Sequence, residues 1–202
     1  MVKKAILFLL IIFLTSCASN ANSILEEENF SRYQAYYTSI FDNDRFIRQP
    51  QNYNMDVVFT KIDNKYRYDI IIDEPIIAMY DVEVMVIEND QAFERTEKMM
   101  PSFGVFEREE KNMIPHQIDI EKGYVKGIVV SGLVDSSVVE LKIMIGWKDY
   151  SKLNSFREFF IRNLDYERMD DEDFDIIGGE EIEEEPIEEP TDDEQDENED
   201  DE

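Results

Sequence analysis

Residues 138–147 read VVELKIMIGW, and their alternation decides the fold. Successive side chains of an extended strand point to opposite faces, so Val139, Leu141, Ile143, Ile145 and Trp147 share one side, and Glu140, Lys142 and Met144 the other. An apolar face backed by a polar one is the pattern of an antiparallel sheet that is packed on one side and wet on the other. The same period recurs outward from this stretch. Residues 55–62 (MDVVFTKI) and 66–72 (YRYDIII) flank the turn-forming cluster Asp63-Asn64-Lys65 and predict a hairpin. In residues 80–86, Tyr80, Val82, Val84 and Val86 fall on the buried side, with Pro75 marking the turn before them. Further strands are expected over 114–120, over 124–131 after the turn at 121–123, and over 156–164 after the polar turn at 148–155.

Only one segment of the body carries a helical period. Ser23-Ile24-Leu25-Glu26 has the form of a capping box, and a helix over 24–41 places Phe30, Tyr33, Tyr37 and Ile40 or Phe41 on one side. That stripe reads as a face packed on the domain. Residues 42–54 read as loop. The connection over 88–112 contains residues 99–106 (MMPSFGVF), which predict a short edge strand plugging one end of the core; exposed, the same residues would form an adaptable contact surface. About seven short strands, few helices and a single Trp indicate a mainly β domain, a single antiparallel β-sandwich with the N-terminal helix attached. Its architecture resembles the Ig-like and fibronectin-III-like sandwiches. A small β-barrel with the helix across one end fits the same strand pattern.

The chain of 202 residues holds 48 acids and 20 bases, a formal charge of −28. Nucleic acid is excluded as a partner, because phosphate backbones are neutralised by clustered Lys and Arg. The charge is uneven: residues 165–202 hold 23 acids and one base, Arg168, whereas residues 1–164 are only −6. This last segment includes Glu183-Glu184-Glu185, Asp192-Asp193-Glu194, Pro186 and Pro190. It is too poor in apolar residues to offset its ordering entropy, which predicts a disordered acidic tail over 165–202. Asp171, Asp173 and Asp175 start like an EF-hand loop, but Ile176 stands where Gly is needed and Ile182 where a bidentate Glu belongs. Weak, diffuse binding of divalent cations is what such a tail offers.

At the other end, Lys3 and Lys4 precede an apolar run of ten over 5–14. A membrane-spanning helix takes about 20 residues, so the run has the length of a signal-peptide core. Leu14-Thr15-Ser16-Cys17 follows, and Cys17 is the only Cys. These residues resemble the lipobox of bacterial lipoproteins. The resemblance implies cleavage between Ser16 and Cys17, a diacylglyceryl group on the Cys17 thiol, and an acylated new N-terminus. At about 0.8 kcal/mol per buried methylene, two or three chains hold a protein on a bilayer durably. The expected organisation is a signal peptide over 1–16, a lipid-anchored spacer over 17–23, the sandwich with its helix over 24–164, and the tail. Cleavage removes Lys3 and Lys4, leaving a mature chain of −30 and a body of −8.

With Cys17 lipidated, the mature body has no thiol for a disulfide, a nucleophile or a metal ligand. His116, the only His, sits in Ile114-Pro115-His116-Gln117-Ile118 and reads as a strand-edge residue. No nucleophile elbow, dinucleotide fingerprint or phosphate loop occurs. No catalytic residue, cofactor or metal site is assigned. The expected role is non-enzymatic binding or scaffolding in the cell envelope, lipid-anchored on the extracytoplasmic face of the cell membrane. The partners are the bilayer through Cys17 and an envelope protein or polymer. A second role is an accessory component of a transport or envelope-assembly complex, its acidic tail recruiting cations or a basic partner. A small carboxylate-dependent hydrolase ranks last, since paired carboxylates leave no sequence signature.

Overall fold

The computed structural model describes residues 25–107 and 109–168, together with the backbone of 177–178. Helix α1 covers residues 25–41 and is followed by an irregular stretch over 42–53. Eight strands are described: β1 (Asn54–Ile62), β2 (Lys65–Asp73), β3 (Tyr80–Glu88), β4 (Ser102–Phe103), β5 (Gly127–Val134), β6 (Val138–Lys148), β7 (Ser155–Asp165) and β8 (Ile177–Gly178). They form two antiparallel sheets, one of three strands in the order β1-β2-β5 and one of five in the order β4-β3-β6-β7-β8. The hairpin read at 55–72 is present, with Asp63 at a left-handed φ of 53° in its turn. Asp tolerates that region because its short side chain bonds locally.

The sheets face each other across one core. Met55, Phe59, Tyr68, Ile70, Ile72, Ile128 and Val130 from the three-stranded sheet meet Val82, Val84, Val86, Leu141, Ile143, Ile145, Phe160 and Leu164 from the five-stranded sheet. A second core lies behind the larger sheet, where Tyr33, Tyr36, Tyr37 and Ile40 of α1 cover Met85, Ile87 and Met144. The five-stranded sheet is therefore buried on both faces. This corrects the expectation of a wet side on β6: Met144 is fully buried under α1. Lys142, on the same side, reaches the rim, where its ammonium lies 2.6 Å from Asp90 and over the rings of Phe41 and Phe46. Alternation reports which side chains share a face; what covers that face is set by a segment a hundred residues away.

Three other expectations change. Residues 114–120 are not a strand. Pro115 has no amide to donate, and Ile114-Pro115-His116-Gln117 close a tight turn, with Gln117 N donating to Ile114 O at 3.1 Å and His116 at φ 61°. Proline second and a positive φ third define a type II turn. Tyr80 is half-buried, because the register shifts between Tyr80 and Glu83. The tail expected to be disordered over 165–202 begins in structure: Asp165 ends β7, and Tyr166 packs on Tyr66 with ring centroids 5.3 Å apart. Residues 177–178 then pair with Ile161 and Arg162. The rest of that segment lies outside the described residues.

Candidate functional site

A polar cleft of about 190 Å³ opens where α1 crosses the end of the five-stranded sheet. Arg32 and Tyr36 reach it from α1, four residues apart and so on one helix face. Asp81 and Glu83 come from the irregular start of β3, Lys148 from the end of β6, and Arg157 from β7. Glu83 accepts a hydrogen bond from the Tyr36 hydroxyl, and its Oε1 lies 3.1 Å from Arg32 Nη1. Arg32 also donates to Val105 O and to Asn29 Oδ1, tying the helix to the β4 loop. Lys148 pairs with Asp81. The Arg157 guanidinium lies 4.7 Å from the centre of the Tyr36 ring and has no ion pair among the described residues. Trp147 and Phe156 stack beside it at 5.6 Å.

Burial sets the protonation chemistry of this cleft. It pushes the Glu83 carboxyl above the usual range, opposed by the Tyr36 hydrogen bond and the Arg32 charge. Tyr36 is pushed up to about 12, by burial first and by Glu83 second. Its neighbour Tyr37 also rises to about 12, again mainly by burial. An unfolded phenol ionises near pH 10, so the folded state holds these two protons longer. Their contribution is complete below about pH 10 and is lost as pH climbs from there to about 12. Alkaline titration followed by Trp147 fluorescence should show unfolding in that window. Tyr36→Phe should flatten it, by up to about 1.4 kcal/mol per pH unit.

A second hollow, of about 540 Å³, lies at the same end of the sheets between the β2–β3 connection and the turn that carries His116. Ile76, Ile114, Pro115 and Ile118 wall it, and Glu74, Gln117 and Lys126 stand at its rim. Ile76 is 72% exposed and Ile118 61%, so the hollow presents apolar surface to solvent. His116 is thus a cleft-lining turn residue; the expected strand edge is absent because Pro115 turns the chain there. Among the described residues, no three His, Cys, Asp or Glu side chains converge as metal ligands do.

The 99–106 segment divides. Ser102 and Phe103 form the short edge strand β4, and Met100 and Val105 are buried under α1, while Met99 and Phe106 stay exposed. Leu14, Thr15, Ser16 and Cys17 lie outside the described residues, as do Asp171, Asp173, Asp175, Ile176 and Ile182. No described helix is long and apolar enough to cross a membrane. The Arg32, Tyr36, Glu83 and Arg157 cluster went unread in the sequence. Its one signal was Glu83, an acid flanked by Val82 and Val84 in a strand that proves buried on both faces. No family model, no curated protein and no solved structure matches this chain.

Proposed function

We propose that this protein is a membrane-anchored bacterial surface lipoprotein whose two-sheet domain is a non-enzymatic binding or scaffolding module of the cell envelope. The observation that carries the reading is the run from Lys3 to Cys17: two positive charges, ten apolar residues, Leu14-Thr15-Ser16, and the only thiol in the chain. The domain supports it. An apolar hollow beside a charged cleft is the kind of surface that recognises a partner, with apolar walls for affinity and a few polar groups for orientation.

The strand order favours a fibronectin-III-like sandwich over an Ig-constant one. In the latter the fourth strand joins the sheet of the first, second and fifth, whereas here β4 pairs with β3 in the other sheet. The likeness is architectural, and folds of this kind carry many functions.

Metabolic labelling with palmitate tests the anchor. The wild-type chain should take up label and lose residues 1–16, whereas Cys17→Ser should take up none and keep its signal segment. Unchanged processing at Ser16 in Cys17→Ser would overturn the lipoprotein reading in favour of an ordinary secretory signal.

A further inference from the structure

The cleft between α1 and β7 holds Arg32, Lys148 and Arg157 against Asp81 and Glu83, a net positive spot on a chain of −28. Four of those five groups are already paired with one another: Arg32 with Glu83 and Lys148 with Asp81. Arg157 is the exposed cation left over among the described residues, its guanidinium 4.7 Å from the centre of the Tyr36 ring, and a guanidinium can bind a carboxylate through two parallel hydrogen bonds.

The residues that follow β8 are rich in such carboxylates. Strand β8 runs antiparallel to β7, with Ile177 opposite Arg162 and Gly178 opposite Ile161, so the chain leaves Gly178 heading down β7 towards Arg157. At Phe159 the open edge of β7 is already taken, its carbonyl accepting from Ile47 N at 2.9 Å. Arg157 is four residues from Ile161, about 13 Å along a strand. Residues 179–202 carry sixteen acids and no base, and the first of them are Glu180, Glu181, Glu183, Glu184 and Glu185. A tether this short gives an effective concentration on the order of millimolar.

We propose that the acidic terminal segment docks in cis on its own domain, seating glutamates of the 180–185 run on Arg157 at the mouth of the cleft. The cleft is then a self-occupied carboxylate site, with β8 as its hinge, and an outside partner must compete with the tail for it. This inference goes beyond the proposed envelope role and does not depend on lipidation.

The test uses the mature chain from residue 17, with Cys17→Ser and a nitroxide on a cysteine introduced by Glu184→Cys. Amide signals of Tyr36, Phe156 and Arg157 are recorded at several protein concentrations. The expected result is broadening at about 0.02 M salt that fades towards about 0.5 M as the charges are screened. It should be independent of dilution, abolished by Arg157→Glu and largely kept by Arg157→Lys. Because Arg157 is exposed, the variants should keep the near-ultraviolet signal of Trp147, which checks the fold. Absence of broadening, persistence of full broadening in Arg157→Glu, or broadening that falls with dilution each overturns docking in cis; the last assigns the tail to a second copy. Palmitate labelling is unaffected by any of these outcomes.

Discussion

Met144→Lys is expected to unfold this protein at room temperature. Read as a strand with one wet face, β6 would accept Lys at position 144 with a change within about 0.5 kcal/mol, since surface substitutions rarely do more. The structure instead puts Met144 between the five-stranded sheet and α1, packed with Met85, Ile87 and Tyr37. Losing the Met side chain alone costs about 2–5 kcal/mol, and an unpaired ammonium adds a desolvation penalty of several more. Whole domains are stable by only about 5–15 kcal/mol. Urea unfolding followed by the fluorescence of Trp147 measures the difference. Met144→Leu, close in volume, should stay within about 1.5 kcal/mol. A Met144→Lys chain as stable as wild type would mean that α1 does not cover this face.

Gly132→Ala should be the second most damaging change. Gly132 sits directly opposite Tyr68 in the pairing of β5 with β2, and the Tyr68 ring lies over it. A Cβ there would stand 2.2 Å from the Tyr68 hydroxyl and Cζ. Tyr68 has no room to retreat: it is fully buried, and its hydroxyl donates to Glu88 at 2.8 Å. Glu88 in turn holds Lys98 at 2.7 Å, and Lys98 caps the Leu133 carbonyl on the open edge of β5 at 3.0 Å. Moving the ring therefore removes a partner from a buried carboxylate as well as overpacking the core, a combined loss of about 3 kcal/mol or more. The ring is the cause, so the two positions should be strongly non-additive: in a Tyr68→Ala background, Gly132→Ala should cost less than about 1 kcal/mol. Additive losses would place the strain elsewhere.

The strands were legible where alternation ran without interruption. Residues 55–62, 66–72, 80–86 and 156–164 all lie within described strands, extended by one to two residues at several ends. The reading failed at 114–120, where Ile114, His116, Ile118 and Ile120 mimic a strand period but Pro115 forces a turn. It also failed at Tyr36, left off the aromatic stripe of α1 although it is buried beside Tyr37 and supplies the cleft with its hydroxyl. A stripe drawn at spacings of three and four follows one line along the helix, while the sheet beneath α1 covers a wider arc. The charged cleft was illegible for a different reason. Arg32, Glu83 and Arg157 are separated by 51 and 74 positions, and nothing local marks them as neighbours.

The sequence by itself determined the mainly β character, the hairpin, the N-terminal helix and the concentration of negative charge after residue 164, because each is written in adjacent residues or in a short period. Only the tertiary structure decided that α1 buries the second face of β3 and β6, that Tyr68 needs Gly132, and that Arg157 stands beside Tyr36 and Glu83. Those facts depend on which faces meet, and a chain's periodicity specifies its faces without naming what they pack against.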